Sequence, residues 1–262
     1  MKRKWTLSDI LLRLAVLLII IFILAPLLVI IGASFTETGH LIFPPRGFTL
    51  DWYRNYFNDY GWMEATRISL YMAFVSMLCS MVIGTITAYS IDRSRRRNFW
   101  MSFFVMPITI PTVVTGLAML RFYVALDVER GFLVLLSGHV VFITPFVIRT
   151  MCASFYRFNV SIEEVSLTLG ANKIKTFLLV TLPSVKSGLI ASSFFAFIVS
   201  FGNLAISIFL TTARFTTLPI KIYTQTRYSS DPTLAAVSTF VVLMSVIIMF
   251  IIERKSNAEN LF

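Results

Sequence analysis

The chain has 262 residues, of which 57% are hydrophobic and only 14% are charged, whereas soluble globular domains carry about 25% charged residues. This composition excludes an ordinary soluble domain and indicates a membrane protein. The net charge of +10 could also indicate nucleic-acid binding, but the positions of the basic residues favour membrane orientation, so we expect no nucleic-acid partner. The two cysteines, Cys79 and Cys152, lack the spacing of metal ligands, and we expect free thiols and no metal.

Six long apolar runs have cores without Asp, Glu, Lys or Arg, and each is long enough to cross the roughly 30 Å hydrocarbon layer as a helix. Lipid cannot satisfy backbone N–H and C=O groups, so such runs must be helical. We therefore predict an all-α fold, an integral membrane bundle of six transmembrane helices surrounded by membrane lipid. The predicted spans are about 10–35, 66–91, 98–125, 131–152, 187–213 and 232–253.

The first run resembles a secretory signal, because Lys2, Arg3 and Lys4 precede it and Gly32–Ser34 offers small residues for cleavage. The hydrophobic region of a signal peptide has about 7–15 residues, and the charge-free run 14–35 is longer. An uncleaved first span is therefore the better interpretation.

The distribution of Lys and Arg predicts the orientation in the membrane, because cytoplasmic loops collect these residues. With the N-terminus inside, the inner segments hold fifteen Lys and Arg residues and the outer segments hold eight. The strongest local signal is the basic run Arg93–Arg97 between the second and third spans. We expect a multi-pass protein of the bacterial cytoplasmic membrane with both termini in the cytoplasm.

The inner loop 153–186 is long for a compact bundle, and such loops are usually functional. Ser161 and Glu164 have the spacing of a capping box at a helix start. Gly170 then permits a left-handed turn, the amphipathic stretch 172–179 follows, and Pro183 ends one element or begins the next. The pattern predicts helix, turn, helix and break. A helix lying on lipid headgroups is the alternative.

The loop sequence EEVSLTLGANKIKTFLLVTLP resembles the cytoplasmic EAA loop of ABC import permeases, with Glu164, Gly170, Val180 and Leu182–Pro183 in register. It departs from the pattern at Val165–Ser166, where the family usually has two alanines. The resemblance implies the type I ABC importer permease fold and a coupling helix that sits in a cleft of the ATPase subunit. The residues expected to couple to the ATPase are Ser161, Glu163, Glu164, Gly170, Ala171, Lys173, Leu182 and Pro183.

Further segments, at 43–57, Pro107–Pro111 and 218–239, resemble the second permease of spermidine/putrescine importers. The resemblance implies a sister permease, an ABC ATPase dimer that binds ATP and Mg, and an extracytoplasmic substrate-binding protein. The chain has no GxxxxGK[ST] phosphate loop, so we expect it to bind no cofactor and to leave ATP hydrolysis to the partner. Spermidine or putrescine is the expected substrate, and 2-aminoethylphosphonate or ferric iron is the alternative.

The apolar cores contain no acidic residue, although polyamine permeases commonly carry acids in the fifth span where this chain has Gly202–Asn203. Hydroxyl, amide and aromatic side chains could still line a path, the aromatic rings by contact with a cation. The candidates are Tyr89, Tyr123, Ser200, Phe201, Asn203 and Ser207. The alternative is that they only pack helices together, as small and hydroxyl residues often do in membranes.

The sequence does not favour two other classes of protein. A secondary transporter usually has a midplane ion site on broken helices and repeated halves, and neither is visible in the sequence. An enzyme needs converging catalytic groups, but the only histidines are His40 in a loop and His139 in the fourth span. We expect a non-catalytic subunit, with His139 as a helix-packing contact.

Overall fold

The computed structural model describes residues 7–228 and 230–259, and every regular element in them is a helix. The all-α prediction is therefore confirmed for this part of the chain. The α-helices are, in chain order, α1 (Leu7–Ala33), α2 (Asp51–Asn58), α3 (Tyr60–Asp92), α4 (Arg97–Val105), α5 (Thr112–Ala125), α6 (Phe132–Tyr156), α7 (Ser161–Thr168), α8 (Lys173–Thr176), α9 (Leu182–Ser184), α10 (Lys186–Phe201), α11 (Ser207–Leu210), α12 (Leu218–Tyr228) and α13 (Thr233–Glu259).

The described residues divide into two compact units: those within 1–63 and 222–247 form one, and those within 64–221 and 248–262 form the other. The first unit contains α1, whose apolar side chains point outward; Phe22, for example, is 80% exposed. Its buried centre is aromatic, because the fully buried Tyr56 contacts the rings of Trp62 and Phe240. An apolar surface of this length is typical of a helix that faces lipid rather than water.

The second unit is built around α6, which packs against α10 and shares one hydrophobic core with α3 and α10, including Ala88, Val147, Met151 and Ala196. A β-carbon added to Gly84 of α3 would lie 2.7 Å from a methyl of Val147. The missing side chain therefore permits close helix approach, as small residues do in membrane proteins.

By length and composition, three single helices can cross a membrane: Leu11–Ala33, Tyr60–Asp92 and Phe132–Tyr156. Two bent helix pairs, Arg97–Thr109 with Thr112–Ala125 and Lys173–Ser184 with Lys186–Phe201, would raise the number to five. Within the described residues, Thr233–Ile247 is a shorter apolar helix. The count of six spans therefore stays a prediction.

The structure differs from the sequence prediction in the third span, because 98–125 is not one continuous helix. A short 3₁₀ turn at Met106–Thr109 separates α4 from α5, and the two halves meet at 93°. Proline lacks an N–H and disfavours helix at the preceding residue. Ile110 and Pro111 accordingly have extended ψ angles of 131° and 129°.

The fifth predicted span, 187–213, is also interrupted. Helix α10 ends at Phe201, and the backbone turns at Gly202–Asn203 before the short α11. Asn side chains compete with the helix by hydrogen-bonding nearby backbone, and here the Asn203 Oδ1 accepts the N–H of Ile206 at 3.0 Å. By contrast, Pro26 and Pro145 lie inside α1 and α6, and both helices continue past them.

Candidate functional site

The loop between α6 and α10 begins with α7 at Ser161, the residue at which the sequence predicts a helix start. The predicted capping box is wrong, however. Val160 is the N-cap and makes no side-chain cap, while the Asn159 Oδ1 accepts the Ser161 N–H at 3.1 Å. The physical reason is that Ser161 is already inside the helix, so its hydroxyl cannot cap it, and the neighbouring Glu163 turns inward to other partners.

A turn at Gly170 connects α7 to the second half of the loop. Gly170 has φ +91°, a left-handed conformation that favours glycine, and its N–H is donated to the Leu167 carbonyl at 3.0 Å. Asn172 caps α8 by accepting the Lys175 N–H at 2.8 Å. The chain then continues through a π-helical segment, Phe177–Thr181, and α9, where Pro183 lies in the first turn. The break before α10 bends the chain by 77°.

The loop is attached to the rest of the unit through Glu163, whose side chain is only 8% exposed. Its Oε2 lies 2.9 Å from the Nη2 of Arg93, just after the end of α3. The Thr181 hydroxyl donates to Oε1 at 2.6 Å, and the Tyr89 hydroxyl reaches Oε2 at 3.4 Å. One carboxylate thus joins α7, the π-helical segment and the end of α3. We call Glu163, Thr181, Arg93 and Asp92 the loop clamp.

Arg93 is shared between two acids. Its Nη1 lies 2.8 Å from the Asp92 carboxylate, and its guanidinium lies 5.1 Å from the centre of the Tyr89 ring. Burial disfavours the charged form, but the hydrogen bond and charge of Glu163 outweigh it and raise the pKa of Arg93 above its usual value. Arg93 therefore stays charged at any working pH, and Glu163 keeps a cationic partner.

The two adjacent glutamates have opposite environments, because Glu163 is buried and Glu164 is exposed. Glu164 lies in a stretch of the loop that also carries eight exposed apolar side chains. They are Val160, Ile162, Val165, Leu167, Leu169, Ile174, Leu178 and Leu179. We call this cluster the apolar loop face. Of the other predicted coupling residues, Ser161, Gly170, Lys173 and Pro183 are exposed, whereas Ala171 and Leu182 are half-buried. Exposed apolar side chains concentrated in one loop are typical of a protein interface.

The structure does not bring the six path candidates together. Tyr89 lies at the loop clamp, where its ring also contacts Phe177 at 4.8 Å between centroids. Tyr123 pairs its hydroxyl with the Ser137 Oγ at 2.6 Å. Phe201 is buried and stacks on Phe197. None of these three side chains has a described contact with another candidate. The sequence does not reveal this, because residue type alone does not show which side chains face each other.

The remaining candidates, Ser200, Asn203 and Ser207, do meet, and they meet around His139. This histidine is 1% exposed; its Nδ1 lies 2.8 Å from the Ser200 Oγ and its Nε2 lies 2.9 Å from the Ser207 Oγ. The Ser200 Oγ is also 2.7 Å from the Ser76 Oγ of α3. These five residues form a network, here called the His139 network, that connects α3, α6, α10 and α11.

The donors in this network can be assigned from geometry. The Ser207 hydroxyl donates to the Asn203 carbonyl at 2.6 Å, so its oxygen must accept from Nε2–H. In the neutral imidazole, Nδ1 then accepts from the Ser200 hydroxyl. The Ser76 Oγ lies 2.7 Å from both the Ser200 Oγ and the Met72 carbonyl, and its one proton can go to only one of them. The sequence interpretation of His139 as a packing contact missed its central position, which no spacing between residues 76, 139 and 200 reveals.

Asn203 carries one group that the network does not use. Its Oδ1 is held by the Ile206 N–H, which fixes the orientation of the amide and leaves Nδ2 as a donor. Among the residues that the structure describes, this buried Nδ2 has no hydrogen-bond partner. An unpaired buried donor costs about 1–3 kcal/mol, so this position favours an acceptor from outside the described chain.

The helical fold and the long apolar helices indicate a membrane protein, and comparison with known proteins identifies its family. Residues 80–257 match the family described as "binding-protein-dependent transport system inner membrane component". The chain belongs to this family.

The relatives and structural neighbours agree with that assignment. The chain is 30% identical over 229 residues to the putrescine transport system permease protein PotI of Escherichia coli K12, covering 84% of this chain and 81% of PotI. It is 27% identical over 244 residues to the spermidine/putrescine permease PotC of the same organism, covering 91% and 92%. The resemblance to spermidine/putrescine permeases is thus confirmed.

A third relative has a different substrate in its name. The putative 2-aminoethylphosphonate permease PhnV of Salmonella paratyphi A is 27% identical over 244 residues, covering 92% of this chain and 91% of PhnV. Among solved structures, a bacterial ABC transporter that imports the acidic polysaccharide alginate has the same fold. It matches with a TM-score of 0.75 and 18% identity over 95% of this chain and 98% of that chain.

Proposed function

We propose that this permease works in an ATP-driven ABC importer, paired with a sister permease, an ATPase dimer that binds ATP and Mg, and an extracytoplasmic substrate-binding protein. The chain crosses the inner membrane six times, with both termini in the cytoplasm, and moves its solute by alternating access. It contributes no catalytic group. The observation that carries the proposal is the loop 153–186, which is clamped on its inner side and apolar on its outer side.

The apolar loop face is the docking surface for the ATPase. Leu169 and Ile174 are 83% and 71% exposed, and burying such side chains in a cleft contributes about 1.5–3 kcal/mol each. The turn at Gly170, with its positive φ, sets the direction in which α8 follows α7. Glu164, on the same outer side, is placed to contact the ATPase, in line with the EAA resemblance.

The loop clamp passes the motion of the ATPase to the membrane helices. A force on α7 acts on Glu163, which is bonded to Arg93 at the end of α3 and to Thr181 in the segment leading to α10. The permease needs only an interface with two arrangements, because nucleotide binding to the partner supplies the differential affinity that shifts the population. Glu163 is thus a positioning residue, while Glu164 is a contact residue.

The substrate proposed first is spermidine or putrescine, supported by the names of PotI and PotC. A second candidate, 2-aminoethylphosphonate, is favoured by Asn203. Its free Nδ2 is a donor and so suits a phosphonate oxygen, whereas a protonated polyamine offers only donors. The donor is buried in this structure, so it would meet substrate only in another conformation of the transport cycle.

The test is ATP hydrolysis by the reconstituted importer, with its sister permease, ATPase and cognate binding protein, during titration with spermidine, putrescine and 2-aminoethylphosphonate. Stimulation by a polyamine supports the first candidate, and stimulation only by the phosphonate supports the second. If none of the three stimulates hydrolysis, both substrate proposals are wrong. Hydrolysis that proceeds normally after the apolar loop face is made charged would contradict the docking proposal.

A further inference from the structure

An open cleft lies between α4 and α6, on the side where α3 ends and α4 begins. Its volume is about 470 Å³. On α6 its lining repeats every three to four residues, at Arg149, Cys152, Ala153 and Tyr156, and continues to Arg157 after the helix. This spacing places the lining on one face of the helix. On α4 the lining is Arg97, Asn98 and Met101.

The cleft is strongly basic. Three of its eight lining residues are arginines and none is acidic. Arg97 forms an ion pair with Asp92, with 3.7 Å between nitrogen and oxygen. Its guanidinium also lies over the Tyr156 ring, 4.5 Å from the ring centre. Within the described chain, no acid lies within ion-pair distance of Arg149 or Arg157, and both are exposed. Apart from Asn98, the lining between the arginines is apolar or aromatic, formed by Met101, Cys152, Ala153 and Tyr156.

The depth of the cleft follows from helix lengths. Helix α6 has 25 residues, about 37 Å at 1.5 Å per residue, which exceeds the roughly 30 Å hydrocarbon layer. Arg149 therefore lies about 10 Å from the end of the helix, within reach of the headgroup layer by extending its side chain. The first turns of α4 carry the exposed aromatic residues Phe99, Trp100 and Phe103, and Trp in particular marks the membrane interface.

We propose that this cleft binds the headgroup of an anionic phospholipid, with the phosphate held by Arg149 and Arg157 and an acyl chain lying along Met101 and the α4 aromatic residues. The guanidinium group of arginine can donate two parallel hydrogen bonds to phosphate oxygens. Basic pockets between membrane helices bind anionic headgroups. The mixed lining favours a lipid over a soluble anion, because the apolar walls match the acyl region and the guanidinium groups match the headgroup.

The test uses the complete importer, purified in mild detergent and titrated with phosphatidylglycerol or phosphatidylcholine while native mass spectrometry counts bound lipids. The wild-type importer should bind phosphatidylglycerol more tightly than phosphatidylcholine. Each basic residue contributes about 1 kcal/mol to anionic lipid binding, so the double variant Arg149→Gln/Arg157→Gln should bind it about 30-fold more weakly. The matched control, Arg95→Gln/Arg96→Gln, removes the same charge from exposed residues outside the cleft and should bind as wild type does.

Four results would overturn the proposal. One is equal affinity of wild type for the two lipids, and another is an equal loss of affinity in the cleft variant and the control. The third is displacement of the lipid by millimolar inorganic phosphate, which would make the cleft a site for soluble anions. If the cleft variant instead loses the ATPase while keeping its lipid, the arginines bind an acidic protein surface. Should the double variant fail to assemble, Arg157→Gln alone should weaken binding about fivefold.

Discussion

Replacement of Glu163 by Gln tests the loop clamp most directly. Gln has the same shape and can still accept from Thr181 and Arg93, but it removes the negative charge. Breaking a buried ion pair costs about 3–5 kcal/mol when one charge is left without a partner. Arg93 keeps Asp92 at 2.8 Å, and its side chain is 27% exposed. We therefore expect a smaller loss, about 2 kcal/mol, close to the value of a charge-assisted hydrogen bond.

The loss should appear as local opening rather than global unfolding, because Glu163 holds only the loop. A change of 2 kcal/mol shifts an opening equilibrium about 30-fold, so the backbone amides of α7 should exchange hydrogen about 30-fold faster. In the reconstituted importer, less substrate should be transported per ATP hydrolysed, because α7 can move without pulling on α3. Hydrogen exchange and the ratio of uptake to hydrolysis measure the two effects.

The neighbouring Glu164→Gln variant is the matched control. It removes the same charge from an exposed side chain, so the exchange of α7 should not change. A double-mutant cycle with Glu163→Leu and Arg93→Met should give a coupling energy of about 2 kcal/mol, since the double variant removes both charges of the pair and Asp92 keeps Arg97 at 3.7 Å. Exchange in Glu163→Gln within twofold of wild type, or a coupling energy near zero, would refute the clamp.

Four other predictions concern the turn, the buried network and the docking face. Gly170→Ala should destabilise the loop by about 1–2 kcal/mol through its positive φ alone, since the added β-carbon would meet nothing within 4 Å; faster exchange at the turn is the readout. Gly170→Trp should abolish transport-coupled ATP hydrolysis, and intact coupling would show that the loop is not the coupling element. His139→Phe should remove the ring acceptor of the buried Ser200 hydroxyl at a cost of about 1–3 kcal/mol, whereas the Ser207 hydroxyl keeps the Asn203 carbonyl. Tm should therefore fall by a few degrees, and an unchanged Tm would contradict the network. Leu169→Asp/Ile174→Asp should leave Tm unchanged but weaken ATPase association at least tenfold in a pull-down, and normal association would place the docking surface elsewhere.

The order of elements in the loop could be predicted from sequence because its signals are local. A helix start near Ser161, a flexible position at Gly170 and a proline before the next apolar run act through neighbouring backbone groups, and the structure has each of these features. The helix cap was mispredicted because it also depends on contacts with distant parts of the chain. Ser161 and Glu164 have suitable spacing, but the inward turn of Glu163 depends on Arg93, which is far away in the chain.

The candidate path residues also show that contacts between distant parts of the chain could not be predicted from the sequence. Each was a reasonable choice by residue type, yet Tyr89 lies at the loop clamp and Tyr123 pairs with Ser137. Only Ser200, Asn203 and Ser207 converge, and they do so on His139, which had no assigned partner. Hydrogen bonds between separate helices depend on helix rotation and depth, and a run of apolar residues specifies neither.

The sequence by itself determined that this is an all-α membrane protein. The bilayer sets the length of the uninterrupted apolar runs, and in lipid the backbone N–H and C=O groups must bond to one another within each helix. It also determined the family, through motifs carried in local order. Tertiary structure alone decided that Glu163 faces inward while Glu164 faces outward, and that His139 joins four helices. Adjacent residues point about 100° apart on a helix, so which of them is buried depends on the neighbouring elements against which the helix packs.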